Sequence, residues 1–278
     1  MSRLTDCFAN LAQANKKALI PYLTAGDPEP SFTVPLMHAM VEAGADVLEL
    51  GVPFSDPMAE GPVIQHAMER ALLHQVSLRD VIDMVATFRQ RDSVTPVLLM
   101  GYLNPVEIMG YEEFVTAALN AGVDGVLLVD LPPEEAGALL EPAKAQGLDT
   151  VFLVSPTTTD QRVEKITNVS SGFVYYVSLK GVTGAGHLDV AAVQARVEQI
   201  KQHSNLPVGV GFGIKDAQSA RQIAEVADAV VVGSALVKLV EANQDSSAAA
   251  EKAVSRLIRS MREEMDSIDA PMVAKVQN

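Results

Sequence analysis

One carboxylate lies inside an otherwise apolar, strand-like run, Val47-Leu48-Glu49-Leu50-Gly51. Side chains alternate along a strand, so if Leu48 and Leu50 face a helix layer, Glu49 points the other way, into the centre of a sheet closed on itself. A carboxyl taken out of water there gains a raised pKa and becomes suited to proton transfer near neutral pH. The competing reading is an internally paired or exposed glutamate with a structural role. Directly after this run comes a long loop, Val52 to Pro62, with three prolines (Pro53, Pro57 and Pro62) and two acids, Asp56 and Glu60. Long loops with defined turn residues often carry function. Spacing alone leaves Asp56 and Glu60 balanced between chemistry and favouring the N-terminus of the following helix.

Two glycine-rich segments offer a different chemistry. Gly209-Val210-Gly211-Phe212-Gly213-Ile214 and Val232-Gly233-Ser234-Ala235 each end an apolar run. Glycine lets a backbone approach a ligand closely, and Ser234 can open a short helix whose amides face an anion. A phosphate is the expected ligand, and backbone N–H groups can hold it without a basic cluster. The loop Ser178 to His187 carries three glycines (Gly181, Gly184 and Gly186) and reads as a lid that closes to exclude water.

The remaining residue types narrow the options. Histidines 38, 66, 74, 187 and 203 fall on helical or loop segments, so a barrel metal site of the His/Asp type has no ligands. No lysine falls within a strand; Lys180 and Lys215 are the nearest, which disfavours an imine-forming aldolase. Cys7 is the only cysteine, so no intrachain disulfide or cysteine cage is expected. Lys and Arg total 21 against 35 Asp and Glu, a net charge of −14 that disfavours nucleic acid and anionic membranes as partners. No apolar run is long enough to span a bilayer, and the first residues lack a signal-peptide pattern, so a cytoplasmic enzyme is expected. What is left is metal-free carboxylate acid–base chemistry on a small phosphorylated substrate.

The elements that must position these groups alternate in βα order. Strands are predicted at Leu19–Thr24, Val47–Gly51, Val97–Tyr102, Gly125–Val129, Thr150–Val154, Gly172–Ser178, Val208–Gly213 and Ala229–Gly233. Helices are predicted at Ser2–Asn15, Pro30–Ala43, Pro62–Arg91, Glu112–Ala121, Glu134–Gln146, Thr159–Ser170, Asp189–His203, Asp216–Val226 and Ser246–Asp266, several opening on a cap or proline signal such as Pro62, Thr159, Asp189 and Asp216. Eight strands each followed by helical sequence predict an α/β fold, a single (β/α)₈ TIM barrel over residues 1–268 with an extra N-terminal helix. Residues 269–278 lack a pattern and read as a disordered tail. In such a barrel the active site lies at the C-terminal strand ends, with phosphate at the loops after strands seven and eight.

Taken together, the segments Leu19 to Pro28, "LELGVPFSDPMAEGP" from Leu48 to Pro62, "GVTGAG" from Gly181 to Gly186 and "GVGFGI" from Gly209 to Ile214 resemble the tryptophan synthase α subunit family over nearly the whole chain. The resemblance implies retro-aldol cleavage of indole-3-glycerol phosphate to indole and glyceraldehyde 3-phosphate. It implies that Glu49 is the general acid–base group. Position 60 is usually aspartate in the family and meets the indole N–H; Glu60 is one methylene longer. Tyr22, Tyr102, Tyr175 and Phe212 would line the indole pocket or its entrance. Gly184, Gly213, Gly233 and Ser234 would hold the phosphate, and Thr183 would close over the site. Leu179-Lys180 departs from the Ser-Arg-X-Gly run of many members. Pro53, Asp56 and Asp130 lie where the family's α subunit meets its β subunit, implying an αββα complex; no cofactor is expected in this chain, and pyridoxal phosphate would belong to the β partner. Two other readings stay in contention: another phosphate-binding barrel isomerase or epimerase, and a weakly catalytic subunit that mainly activates a partner.

Overall fold

The computed structural model describes residues 2–178, 189–211 and 213–268. Strands β1 (Ala18–Thr24), β2 (Leu48–Gly51), β3 (Val97–Gly101), β4 (Gly125–Leu128), β5 (Asp149–Thr150), β6 (Leu153–Val154), β7 (Val174–Val177), β8 (Val208–Gly211) and β9 (Ala229–Val232) form one parallel sheet. Its order, β5-β4-β3-β2-β1-β9-β8-β7-β6, begins and ends on two pieces of a single chain segment. The amide of Val151 donates to Val126 O, and the amide of Tyr175 donates to Phe152 O, so this segment bonds to both neighbours. The sheet therefore closes into an eight-stave (β/α)₈ barrel, as predicted, with the fifth stave split in two.

Around it lie α1 (Arg3–Gln13), α2 (Pro30–Glu42), α3 (Pro62–Leu73), α4 (Leu78–Phe88), α5 (Leu103–Met109), α6 (Tyr111–Ala121), α7 (Gly137–Gln146), α8 (Asp160–Val169), α9 (Val190–Lys201), α10 (Ala217–Ala224), α11 (Ser234–Ala242) and α12 (Ser247–Asp266). The predicted single helix Pro62–Arg91 is two helices. Gln75 takes a left-handed φ of 58°, and Ser77 and Asp80 form a reciprocal capping box that starts α4 anew. Periodicity alone ran through that break. The short helix α5 was not predicted; Gly110, with φ 91°, separates it from α6. The predicted tail, 269–278, lies outside the described residues.

Alternation sorts the barrel residues into two cores. Leu19, Leu23, Leu48, Leu50, Val97, Leu99, Val208 and Val210 face outward and pack with helix residues such as Leu36, Met40, Val81 and Ile258. Ala18, Ile20, Val47, Leu98, Leu127, Val151, Phe173, Ala229 and Val231 face inward, and Leu4 and Phe8 of α1 plug that inner core from the N-terminal end of the barrel. The extra helix thus closes one mouth, leaving chemistry to the other.

Aspartates at the N-terminal strand ends brace the wall. The amide of Leu19 donates to Asp46 Oδ2 at 2.8 Å, that of Val97 to Asp124 Oδ2 at 2.8 Å, and that of Val208 to Asp228 Oδ2 at 2.9 Å. Each aspartate directly precedes or nearly precedes the following strand, so each bond ties the start of one βα unit to its end. Arg262 and Arg89 hold Asp46 and Asp124 at 3.0 and 2.7 Å.

Candidate active site

Glu49 occupies the middle of β2, in register with Tyr22 of β1 and Leu98 of β3. Since Leu48 and Leu50 pack in the outer core, Glu49 points into the barrel, where it is 1% exposed. Among the described residues no side chain pairs with it, and its Oε1 is buried without a hydrogen-bond partner. Burial, with a smaller contribution from the charge of Glu60, pushes its carboxyl up to about 8. A structural glutamate would be paired; this one is not.

Glu60 approaches the same space from the loop between β2 and α3. Its own amide donates to Pro57 O at 3.0 Å, and Gln65 Nε2 donates to Glu60 O at 2.9 Å, fastening the loop to the first turn of α3. At the start of α3, Gly61 is the N-cap and no side chain caps the helix, so the Glu60 carboxylate is not used there. It is half-buried, and loss of solvent pushes it up to about 7. Its charge also contributes to the raised pKa values of Tyr22, Tyr102 and Tyr175, so these rings lie within electrostatic reach of it.

The pocket wall is aromatic and aliphatic. Tyr22 and Tyr102 are buried with Ile64, Ala67, Met68 and Val237, and Phe54, Val63, Met100 and Val129 pack against them. Phe54 stacks on Tyr102 with ring centroids 4.9 Å apart and planes inclined by 22°. The Tyr102 hydroxyl accepts from the amide of Ala59 at 3.0 Å, and the Tyr22 hydroxyl lies 3.1 Å from Thr24 Oγ1. These contacts hold flat rings at the barrel mouth, and such faces suit stacking on a planar aromatic guest.

Two glycines make room for the rings. A Cβ on Gly51 would come within 2.6 Å of Tyr22 Cζ, and one on Gly211 within 2.8 Å of Tyr175 Cε1. The sequence reading assigned Gly51 no part in the site, nor Phe54, Thr24 or the α3 face. Only the Gly-X-Gly spacing in β8 hinted at such a clearance.

On the other side of β1 from Glu49, Gly213 follows β8 with φ 80°, and Gly233, after β9, is the N-cap of α11 with no side-chain cap bond. The first amides of a helix have no intrahelical partners, so those following Gly233 are available to an anion. Ser234 is exposed at this first turn. Thr183, Gly184 and Phe212, and the predicted lid around them, lie outside the described residues. On the outer rim, Pro53 is buried, Asp56 is exposed, and Asp130 accepts from the amide of Leu103 at 2.8 Å, bracing the start of α5. Met58 and Ile108 each expose 81% of their surface. Among the described residues no group of three or more His, Cys, Asp or Glu is placed to hold a metal ion, and no helix is long and apolar enough to cross a membrane.

Known proteins resemble this chain in sequence and in fold. The family model described as "Tryptophan synthase alpha chain" matches residues 8–266. A curated relative of that name from Thioalkalivibrio sulfidiphilus is 60% identical over 266 residues, covering 96% of this chain and 100% of the relative. The crystal structure of tryptophan synthase subunit alpha from Legionella pneumophila superposes with a TM-score of 0.91 at 48% identity, covering 96% of this chain and 100% of that one. A chain from structural work on mutual activation of the tryptophan synthase α2β2 complex of Pyrococcus furiosus gives a TM-score of 0.81 at 39% identity, covering 88% and 98%.

Proposed function

Because the chain belongs to the tryptophan synthase alpha chain family, a lyase family of tryptophan biosynthesis, we propose that it cleaves indole-3-glycerol phosphate by proton transfer at Glu49, assisted by Glu60. The observation that carries this reading is the isolation of Glu49. It is a buried carboxyl with a free oxygen, aimed into a tyrosine-lined slot and titrating near neutrality.

With its pKa near 8, Glu49 is mostly protonated at pH 7 and can give its proton to the ring carbon that bears the glycerol chain. The ring then carries positive charge delocalised onto its N–H, and the Glu60 carboxylate stabilises that charge. The C–C bond breaks with its electron pair returning to the ring. The carbinol O–H loses its proton to the Glu49 carboxylate, leaving an aldehyde and restoring the acid. Glu60 has to be ionised while Glu49 is protonated, the order favoured by the deeper burial of Glu49.

Tyr22, Tyr102 and Tyr175 hold the indole plane, and the phosphate sits on backbone amides at Gly213, Gly233 and Ser234. The family's β partner docks on the rim at Pro53, Asp56 and Asp130 in an αββα complex. Pyridoxal phosphate belongs to that partner. The test is indole release from indole-3-glycerol phosphate by the purified chain and its Glu49→Gln variant, with and without a β subunit. Release by the wild type and its loss in a correctly folded variant supports the reading; equal release by both refutes it.

A further inference from the structure

The two ends of the pocket sit on separate elements: Glu60 on the loop leading into α3, and the phosphate amides at the start of α11. Among the described residues, one guanidinium joins the helices that follow them, near their C-terminal ends. Arg70, in the last turns of α3, directs Nε and Nη2 to the two oxygens of Asp27 at 2.6 and 3.0 Å, and Nη1 to Glu241 Oε1 of α11 at 3.0 Å. Asp27 lies in the loop after β1, the strand that carries Tyr22. Its side chain is 3% exposed and that of Arg70 is 17% exposed, so the forked pair is largely shielded from water. Fork-to-carboxylate geometry fixes orientation as well as distance, which an ammonium cannot reproduce.

Nearer the site, α3 and α11 share an apolar cluster in which Val237 joins Ile64, Ala67 and Met68. Such contacts resist separation but permit sliding, because dispersion is not directional. The direction and reach of α3 relative to α11 are therefore set at Arg70. Gln65 carries that placement to Glu60 through its bonds to Glu60 O and Pro57 O.

We propose that Arg70 is a positioning residue, fixing the span between the Glu60 end and the phosphate end of the pocket to the length of one substrate. This rests on the reading above that both ends grip the same molecule. A span fixed in advance matters only to a ligand that reaches across it; either half alone needs one end. Loosening the span leaves each half-site intact and reduces the advantage of joining them.

The test uses the full-length chain and three ligands: inorganic phosphate, indole and indole-3-glycerol phosphate. In Arg70→Met, NMR titration gives affinities for phosphate and for indole within about twofold of wild type, while kcat/KM for the joined substrate falls about 10- to 100-fold. Arg70→Lys recovers part of the loss, since it keeps the charge without the fork. Glu241→Gln, on a side chain 40% exposed, removes only the α11 arm; it lowers kcat/KM about threefold at an unchanged unfolding midpoint, and decides the matter if Arg70→Met does not fold. A loss shared equally by both fragments and the joined substrate, or no loss in Glu241→Gln and Arg70→Met alike, overturns the proposal. A wild-type chain that releases no indole overturns the functional reading itself, and this inference with it.

Discussion

Replacing Glu49 by glutamine is expected to trade activity for stability, in a way that depends on pH. The folded-state pKa of about 8 lies above the ordinary value of 4.5, so the folded chain keeps a proton that the unfolded chain releases. Stability from this group is complete below about pH 4.5 and is lost as pH rises through about 8. At 1.36 kcal/mol per pKa unit, ionising Glu49 in the fold costs on the order of 5 kcal/mol. Local relaxation and water penetration reduce the measurable part to roughly 2–3 kcal/mol. Glutamine has the same shape and never ionises. Urea unfolding at pH 5.5 should give Glu49→Gln and wild type within about 1 kcal/mol of each other. At pH 9 the variant should be the more stable by roughly 2–3 kcal/mol, with indole release almost abolished at both pH values. Parallel stability–pH curves for the two proteins would show that Glu49 does not titrate where its burial places it. Retained turnover would remove it from the chemistry.

Three further outcomes follow from the same geometry. Glu60→Gln should lose most activity, because an amide keeps hydrogen bonding without stabilising positive charge; Glu60→Asp should also lose activity, as the shorter acid falls short in a loop fastened for glutamate, and steady-state cleavage assays decide both. An increase in Glu60→Asp would instead mark Glu60 as a partial impairment. Gly51→Ala should push the Tyr22 ring into the slot, at an overpacking cost of about 1–3 kcal/mol, raising KM for the indole substrate; unchanged KM and stability would contradict the clearance role. A structure with bound phosphate should show backbone amides near Gly213, Gly233 and Ser234 as its main donors, and a clamp of lysine or arginine side chains would count against that.

Much of this site was legible because its signals are local. Alternation in Leu48-Glu49-Leu50 gave the direction of Glu49, and glycines ending two consecutive strands marked the loops now proposed to take the phosphate. The eight staves were legible from short apolar runs for the same reason. What escaped depends on partners distant in sequence. Gly51 matters because Tyr22 crosses it from the neighbouring strand, and Gly211 because Tyr175 does. Arg70 reaches Asp27 across 43 residues and Glu241 across 171, distances at which no periodicity speaks. The break in Pro62–Arg91 was hidden because apolar spacing continues through it, although Ser77 with Asp80 three residues on was a readable cap signal. The split of the fifth stave is a matter of hydrogen-bond geometry around Val151 and Phe152, to which hydrophobic pattern is blind.

The central claim is that cleavage requires Glu49 protonated and Glu60 ionised in the same pocket. The most direct measurement is the pH dependence of kcat/KM for indole release by the purified chain, in wild type and Glu60→Gln, because that ratio reports the groups of the free chain and free substrate. The account predicts a bell for wild type, rising through about pH 7 and falling past about 8, with apparent values that belong to the interacting pair. In Glu60→Gln the residual activity should keep the alkaline fall and lose the rise near 7. Any limb near pH 6 shared by both proteins belongs to the substrate phosphate. A wild-type rate that climbs steadily from pH 6 to 9, or a limb near 7 that survives in Glu60→Gln, would contradict the assignment of the two carboxylates.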